Sequence, residues 1–203
     1  MERVRIAVLV SGGGTNLQAL IDSQKTGVIK SGEICLVISN NKNAFALERA
    51  KKENIKTLTV LKSECGSQEV FEKEIIKALE ENGIELIVLA GFMSILSKSF
   101  TDRFEKRIIN VHPSLIPSFC GKGFYGLTVH EKALEKGVKV TGATVHFVNE
   151  IADGGEIIMQ KAVEVMPDDT PETLQRRVME EAEWKILPAS CEKVCQCIIK
   201  ERG

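Results

Sequence analysis

The run Ile108-Ile109-Asn110-Val111-His112-Pro113-Ser114 ends in two polar side chains two residues apart, a spacing that puts both on one face of a β-strand. An amide N–H at Asn110 can donate to a developing oxyanion, and an imidazole at His112 can release a proton near neutral pH. Together they meet the needs of acyl transfer through a tetrahedral intermediate; a polar strand end with a solvated histidine is the alternative. A second feature, Ser11-Gly12-Gly13-Gly14-Thr15-Asn16, follows one apolar run and opens a helical one. Backbone N–H groups and the positive end of a helix converge there, where glycine lets an anion approach closely. Leu17 stands where a Gly-x-Gly-x-x-Gly fingerprint needs its third glycine, and no Gly-Lys-Ser/Thr follows, so neither a dinucleotide motif nor a Walker loop is present. Asn40-Asn41 closes the next apolar run without an acidic residue for a ribose hydroxyl, which disfavours a nicotinamide cofactor. A single sugar phosphate suits the loop; a tight turn without a ligand is the other reading.

The remaining candidates are less distinctive. His146 lies inside an apolar run, where a satisfied core histidine is the usual outcome, and His130 opens a helical stretch where surface exposure is usual. Cys120 could act as a nucleophile beside His112, but no local feature argues for a lowered thiol pKa. Asp153 precedes two glycines and reads from composition as a turn residue. The cysteines Cys191, Cys195 and Cys197 invite a metal reading, yet no Cys-x-x-Cys pair is present and no histidine lies near them in sequence. Small apolar thiols on a helix face fit them better, and reduced thiols fit all six cysteines.

The elements that must hold these residues follow from hydrophobic period. Apolar stretches at 5–11, 33–39, 57–61, 86–90, 108–112, 142–148 and 156–165 predict strands, and amphipathic stretches at 16–23, 44–52, 68–81, 98–104 and 129–135 predict helices. A final helix is predicted from about Pro171, where Asp168, Asp169, Thr170 and Glu172 supply capping and first-turn acid. This alternation is the signature of a doubly wound, mainly parallel α/β sheet in three layers. The short Asp153-Gly154-Gly155 connection adds an antiparallel hairpin at its C-terminal end. In such a sheet ligands bind outside the carboxyl ends of the strands, where Gly14, Asn110 and His112 fall. The long connection 113–128 has no periodicity and reads as functional or mobile.

With 203 residues, 43% hydrophobic and 27% charged, the chain reads as one globular domain over 1–203 rather than a disordered one. Its phosphate-binding half is expected at about 1–105 and its catalytic half at about 85–203. The net charge of −1 lacks the basic excess expected of a nucleic-acid partner. No apolar run approaches the roughly 18 residues of a membrane span, and the apolar run after Met1 is too short for a signal peptide. A soluble, cytoplasmic chain acting as a monomer or homodimer is the expectation.

These motifs resemble the phosphoribosylglycinamide formyltransferase family, the folate-dependent enzymes of purine synthesis. The resemblance rests on Val10-Ser11-Gly12-Gly13-Gly14-Thr15-Asn16-Leu17-Gln18, Leu89-Ala90-Gly91-Phe92-Met93, Asn110-Val111-His112-Pro113-Ser114-Leu115-Ile116-Pro117, Gly142-Ala143-Thr144-Val145-His146-Phe147-Val148 and Asp153-Gly154-Gly155. It covers nearly the whole chain in the family order. It implies a Rossmann-like formyltransferase fold and transfer of a formyl group from 10-formyltetrahydrofolate, as co-substrate, to the primary amine of glycinamide ribonucleotide, with no metal. Asn110 would hydrogen-bond the formyl oxygen, His112 would donate a proton there, and Asp153 would pair with His112 and raise its pKa. Gly14, Thr15 and Asn16 would hold the substrate phosphate, with Pro113 and Glu183 also at the substrate and Glu183 at the amine. Met93, Ser94, Ile95 and Leu96 would lie along the folate, mostly through backbone groups. Some members carry arginines where this chain has Gln68 and Ser94, so Gln68 is the weakest of the implied folate contacts. The glycines of the segment 118–126 suggest a mobile flap.

Three other readings compete. A deformylase would use the same Asn, His and Asp with water as acceptor, but such enzymes usually carry a small domain before the catalytic one, and here the first strand starts within a few residues of Met1. A noncatalytic phosphate-binding module needs only the glycine loop and leaves Asn110, His112 and Asp153 unexplained. A formyltransferase acting on charged tRNA would be expected to carry a basic C-terminal extension, and this chain ends at Gly203.

Overall fold

The computed structural model describes residues 2–203. Along the chain run β1 (Val4–Val10), α1 (Thr15–Lys25), β2 (Gly32–Ser39), α2 (Phe45–Lys52), β3 (Lys56–Thr59), α3 (Lys62–Cys65), α4 (Gln68–Glu81) and β4 (Leu86–Leu89). There follow α5 (Lys98–Arg103), β5 (Ile108–His112), α6 (Leu127–Lys136), β6 (Val140–Phe147), β7 (Ile157–Glu164), α7 (Pro171–Val178), a π-helical turn (Met179–Glu183) and α8 (Trp184–Glu201). The seven strands form one sheet in the order β3-β2-β1-β4-β5-β6-β7. All neighbours pair in parallel except β5 with β6 and β6 with β7. The expected hairpin is therefore present, but β6 alone is reversed: it is antiparallel on both sides, and β7 returns to the direction of the other strands.

Alternation along the strands divides the core between two layers. Val4, Ile6, Val8 and Val10 of β1 pack with Leu17 and Leu20 of α1 and Leu187 and Val194 of α8, while Ala7 and Leu9 pack with Phe71, Ile75 and Leu79 of α4 and Phe100 of α5. β1 buries side chains on both faces, which is why it reads as a continuous apolar run rather than an alternating one.

Two departures from periodicity bear on the site. The strand expected to reach residue 61 ends at Thr59, and after two connecting residues the chain forms the short α3 at Lys62–Cys65. The final helix does not run unbroken from Pro171. Thr170 caps α7 with a reciprocal Thr170/Thr173 capping box, after which the π-helical turn inserts an extra residue per turn before α8. Glu183 closes that turn rather than lying on the last helix.

Candidate active site

The sheet order reverses direction at β1 and β4, so the glycine loop after β1, the segment after β4 and the end of β5 lie side by side at the carboxyl edge. Gly14 caps α1 with φ 72° and ψ 34°, a left-handed conformation. A Cβ there would come within 2.6 Å of the Ala46 Cβ, so both backbone angle and space call for glycine. The Gly12 carbonyl accepts from the Ala46 N–H at 3.1 Å and the Gly13 carbonyl from Arg49 Nε at 2.8 Å. These contacts turn the loop's oxygens toward α2 and leave the first-turn N–H groups of α1, from Thr15 onward, available to an anion. Thr15 is exposed and Asn16 half-buried.

Asn16 also faces inward from this loop. Its Nδ2 donates to Glu183 Oε2 at 2.7 Å, while its Oδ1 is buried without a partner. Glu183 is 6% exposed, and burial pushes its carboxyl up to about 6 against the opposing pull of the Asn16 hydrogen bond. A buried carboxyl that is half-ionised only near pH 6 therefore sits beside the phosphate loop, brought there by the wide turn that precedes α8.

At the end of β5, Asn110 and His112 share a face as the spacing requires. The antiparallel register sets Asn110 opposite His146 and His112 opposite Thr144. Asn110 Nδ2 lies 3.2 Å from His146 Nε2, and His146 Nδ1 lies 2.8 Å from the Phe147 carbonyl. The carbonyl assigns the His146 proton to Nδ1, so Nε2 accepts from Asn110 and fixes the direction of that amide. One Nδ2 hydrogen of Asn110 is left for a substrate oxygen. Asp153, at φ 55° in the turn before the two glycines, lies between both histidines, its Oδ2 3.5 Å from His112 Nδ1 and its Oδ1 3.5 Å from His146 Nε2. The Gly121 N–H donates to Asp153 Oδ2 at 2.8 Å, and His112 Nε2 donates to the Phe119 carbonyl at 2.8 Å.

Asp153 thus reaches His112 and pulls its pKa upward as expected, but the net shift is downward. Burial lowers the His112 pKa from its usual value; Asp153 and the Phe119 carbonyl raise it, and the neighbouring His146 lowers it, leaving a net decrease. Asp153 acts in the expected direction and desolvation outweighs it. Burial in turn raises the Asp153 carboxyl, but His146, His112 and the Gly121 N–H together outweigh burial and hold it below its usual value.

Other residues fall differently from expectation. His146 is buried, as a core histidine would be, yet it belongs to this cluster. His130 is not at the surface: it is fully buried, neither ring nitrogen has a partner, and burial with the nearby His112 lowers it to about 4. Cys120 is half-buried, and desolvation followed by Asp153 raises its thiol, the wrong direction for a nucleophile. The segment 118–126, read as a flap, is held at Phe119 and Gly121 by the two residues it borders. Pro113 follows His112 and is half-buried. Cys191 and Cys195 are buried in the core beneath α8, and Cys197 is exposed. Among the described residues no cluster of three His, Cys, Asp or Glu is arranged to hold a metal ion.

A cleft runs from this cluster along the segment after β4. Phe92, Leu96, Val148 and Ile151 form apolar walls, with Asn110 and Asp153 at the polar end. Met93 and Ile95 are exposed and Leu96 is buried. The Met93 N–H donates to Ser11 Oγ at 2.8 Å, tying this segment to the glycine loop, and Asn40 Nδ2 donates to Ser94 Oγ at 2.8 Å. Gln68 does not extend into the cleft as a free contact: its Nε2 donates to the Ile95 carbonyl at 3.0 Å and to Glu72 Oε1 at 2.6 Å.

A doubly wound sheet with this edge is the frame of a known class. Residues 4–190 match the model of the formyl transferase family, and the chain belongs to that family. Within it, the chain is similar to the phosphoribosylglycinamide formyltransferase of Escherichia coli K12, 42% identical over 175 residues that make up 86% of this chain and 80% of that one. It is also similar to a crystal structure of glycinamide ribonucleotide transformylase 1 from Symbiobacterium toebii, with a TM-score of 0.89 and 40% identity, covering 96% of this chain and 88% of that one. A further relative, the trifunctional purine biosynthetic protein adenosine-3 of Gallus gallus, is 46% identical over 192 residues. The match takes in 95% of this chain but spans only 18% of the length of that relative.

Proposed function

We propose that this chain transfers the formyl group of 10-formyltetrahydrofolate to the primary amine of glycinamide ribonucleotide in purine biosynthesis. The observation that carries the reading is the convergence of Asn110, His112, His146 and Asp153 at the head of a cleft whose other end is tied, through Met93 and Ser11, to a glycine loop fit for a phosphate. Two small molecules, one phosphorylated and one long and flat, can meet there.

A primary amine is already a nucleophile, so the site must orient two substrates, stabilise an oxyanion and move a proton. The ribonucleotide phosphate lies on the N–H groups of Gly14, Thr15 and Asn16, and the glycinamide amine is held by Glu183 and Asn16. The folate lies along Met93, Ser94, Ile95 and Leu96. When the amine nitrogen bonds the formyl carbon, the formyl oxygen becomes an oxyanion and takes the free Asn110 Nδ2 hydrogen. His112 Nε2–H, held by the Phe119 carbonyl in this structure, turns to hydrogen-bond the same oxygen, and Asp153 favours the protonated imidazole, whose positive charge offsets that of the oxyanion. The tetrahedral adduct then collapses: the bond from the formyl carbon to the folate nitrogen breaks, and that nitrogen receives the proton lost by the amine. No metal and no covalent enzyme intermediate enters these steps. The reading is of a cytoplasmic enzyme on small molecules, working as a monomer or homodimer.

The test is the rate of formyl loss from 10-formyltetrahydrofolate with and without glycinamide ribonucleotide. Turnover that requires the ribonucleotide supports the transferase. Turnover with water alone identifies a deformylase, and no turnover under either condition leaves only a binding module.

A further inference from the structure

Glu72 is a buried carboxylate that none of those steps uses. It lies on α4, is 4% exposed, and its partners are all polar. Oε1 accepts from the Ser97 N–H at 2.6 Å and from Gln68 Nε2 at 2.6 Å, and Oε2 accepts from the Ser97 hydroxyl. The same Gln68 amide donates to the Ile95 carbonyl at 3.0 Å. Ser97 is also the cap of α5, its hydroxyl accepting from the Phe100 N–H at 3.3 Å.

The segment 93–97 has no ladder or helix of its own. Met93 is 56% exposed and Ile95 74% exposed, so within the segment only Leu96, buried against the core with Phe71 and Phe100, anchors it by its own side chain. A stretch with exposed backbone and few buried contacts opens easily unless something outside it supplies partners. Here those partners are side chains on two flanks. Ser11 and Asn40 hold Met93 and Ser94 from the β1 and β2 ends, while α4 holds Ile95 and Ser97 through Gln68 and Glu72. A carboxylate carries four lone-pair positions and hydrogen bonds to it are about twice as strong as neutral ones. Glu72 can therefore engage the end of the segment and Gln68 at once, which a leucine could not.

We infer that Glu72, acting through Gln68 and Ser97, is a positioning residue that sets the backbone of 93–97 to receive the formyl-folate co-substrate. This rests on the proposed function for the identity of the ligand and adds to it the group that fixes that half of the site. It also gives Gln68 a different role from a folate contact: it acts through the Ile95 carbonyl.

The experiment compares Glu72→Leu, Glu72→Gln and Gln68→Leu with wild type in steady-state kinetics on both substrates and in hydrogen exchange without substrate. Glu72→Leu and Gln68→Leu are expected to raise KM for 10-formyltetrahydrofolate about tenfold, which is about 1.4 kcal/mol. KM for glycinamide ribonucleotide and kcat are expected to stay within about twofold. Glu72→Gln keeps a carbonyl oxygen for the Ser97 N–H and Gln68 and offers its amide to the Ser97 hydroxyl, so it should restore KM to within about threefold of wild type. Amide exchange at 93–97 should quicken in the two leucine variants and not in the glutamine one. Equal losses on both substrates, or unaltered exchange at 93–97, would overturn the inference. Gln68 is only half-buried, so Gln68→Leu keeps the test decisive if Glu72→Leu does not fold. If wild type neither transfers a formyl group nor binds tetrahydrofolate by calorimetry, the functional reading and the folate role of Glu72 fall together. Quickened exchange would then still establish the clamp itself.

Discussion

Replacing Glu183 by glutamine separates what this carboxyl does for stability from what it does for substrate. Its pKa is raised from an ordinary 4.5 to about 6, chiefly by burial. At about 1.4 kcal/mol per pH unit, that rise corresponds to about 2 kcal/mol. The folded protein holds this proton more tightly than the unfolded chain. The favourable contribution is therefore complete below about pH 4.5 and is lost as the pH rises through about 6. At pH 8 the wild type carries a buried carboxylate with one neutral donor, Asn16 Nδ2. Glutamine removes the charge, keeps an acceptor for Asn16 Nδ2 and offers an N–H to Asn16 Oδ1, which has no partner in the wild type. Glu183→Gln is accordingly expected to be more stable than wild type by about 2 kcal/mol at pH 8, or about 4–8 °C in Tm for a chain of this size. The advantage should shrink by pH 5. Activity should move the other way, because the neutral amide lacks the charge that holds the amine: KM for glycinamide ribonucleotide should rise by about 10- to 100-fold, the usual worth of a hydrogen bond to a charged group. Thermal and urea unfolding across pH 5 to 8, with kinetics at pH 7.5, measure both. A variant less stable than wild type at pH 8, or a stability difference that does not change with pH, would refute the reasoning.

Asn110→Ala and His112→Ala should each lower kcat by at least about 10²-fold, the usual cost of an oxyanion donor, while circular dichroism reports a folded protein. In Asp153→Asn, the carboxylate that raises His112 is gone while burial remains, so the His112 resonance in an NMR titration should shift to still lower pH. Gly14→Ala must adopt φ 72° and place a methyl 2.6 Å from Ala46 Cβ; it should lower stability by about 1–3 kcal/mol in urea unfolding and weaken ribonucleotide binding in calorimetry. Asp169 is held at about 2, chiefly by its hydrogen bond from Arg177. Its contribution to stability is complete above about pH 4 and is lost as the pH falls toward 2, and an Arg177→Ala variant should show a weaker acid dependence over that interval.

Much of the fold was legible because strands buried on both faces read as short apolar runs and amphipathic helices as period-3.6 runs. The helix Gln68–Glu81 and the strand Ile108–His112 lie where period placed them. The reversal of β6 was half legible. The Asp153-Gly154-Gly155 turn announces a hairpin with β7, but nothing local says that β6 also pairs antiparallel with β5. That second pairing is what brings His146 opposite Asn110, and it explains why His146 read only as a core residue inside an apolar strand. A hint was available, since His146 and Thr144 alternate with Ala143, Val145 and Phe147 as a polar face would. Asn110 and His112 stood out because two polar residues closed an otherwise apolar run. Glu72 did not, because one acid among the charges of α4 looks like any solvated position until the helix is packed against 93–97. Glu183 was legible by resemblance alone; its burial depends on the π-helical turn, which no period in the sequence marks.

The proposed function requires the Asn110, His112 and Asp153 cluster to move a formyl group to an amine. Its most direct test is transfer of a ¹³C-labelled formyl group from 10-formyltetrahydrofolate to glycinamide ribonucleotide, followed by NMR for wild type and Asp153→Asn. Label is expected on the glycinamide amine nitrogen in wild type, with no free formate and a rate at least about 10²-fold lower in the variant. Label released as formate by wild type, or transfer by Asp153→Asn at the wild-type rate, would contradict it.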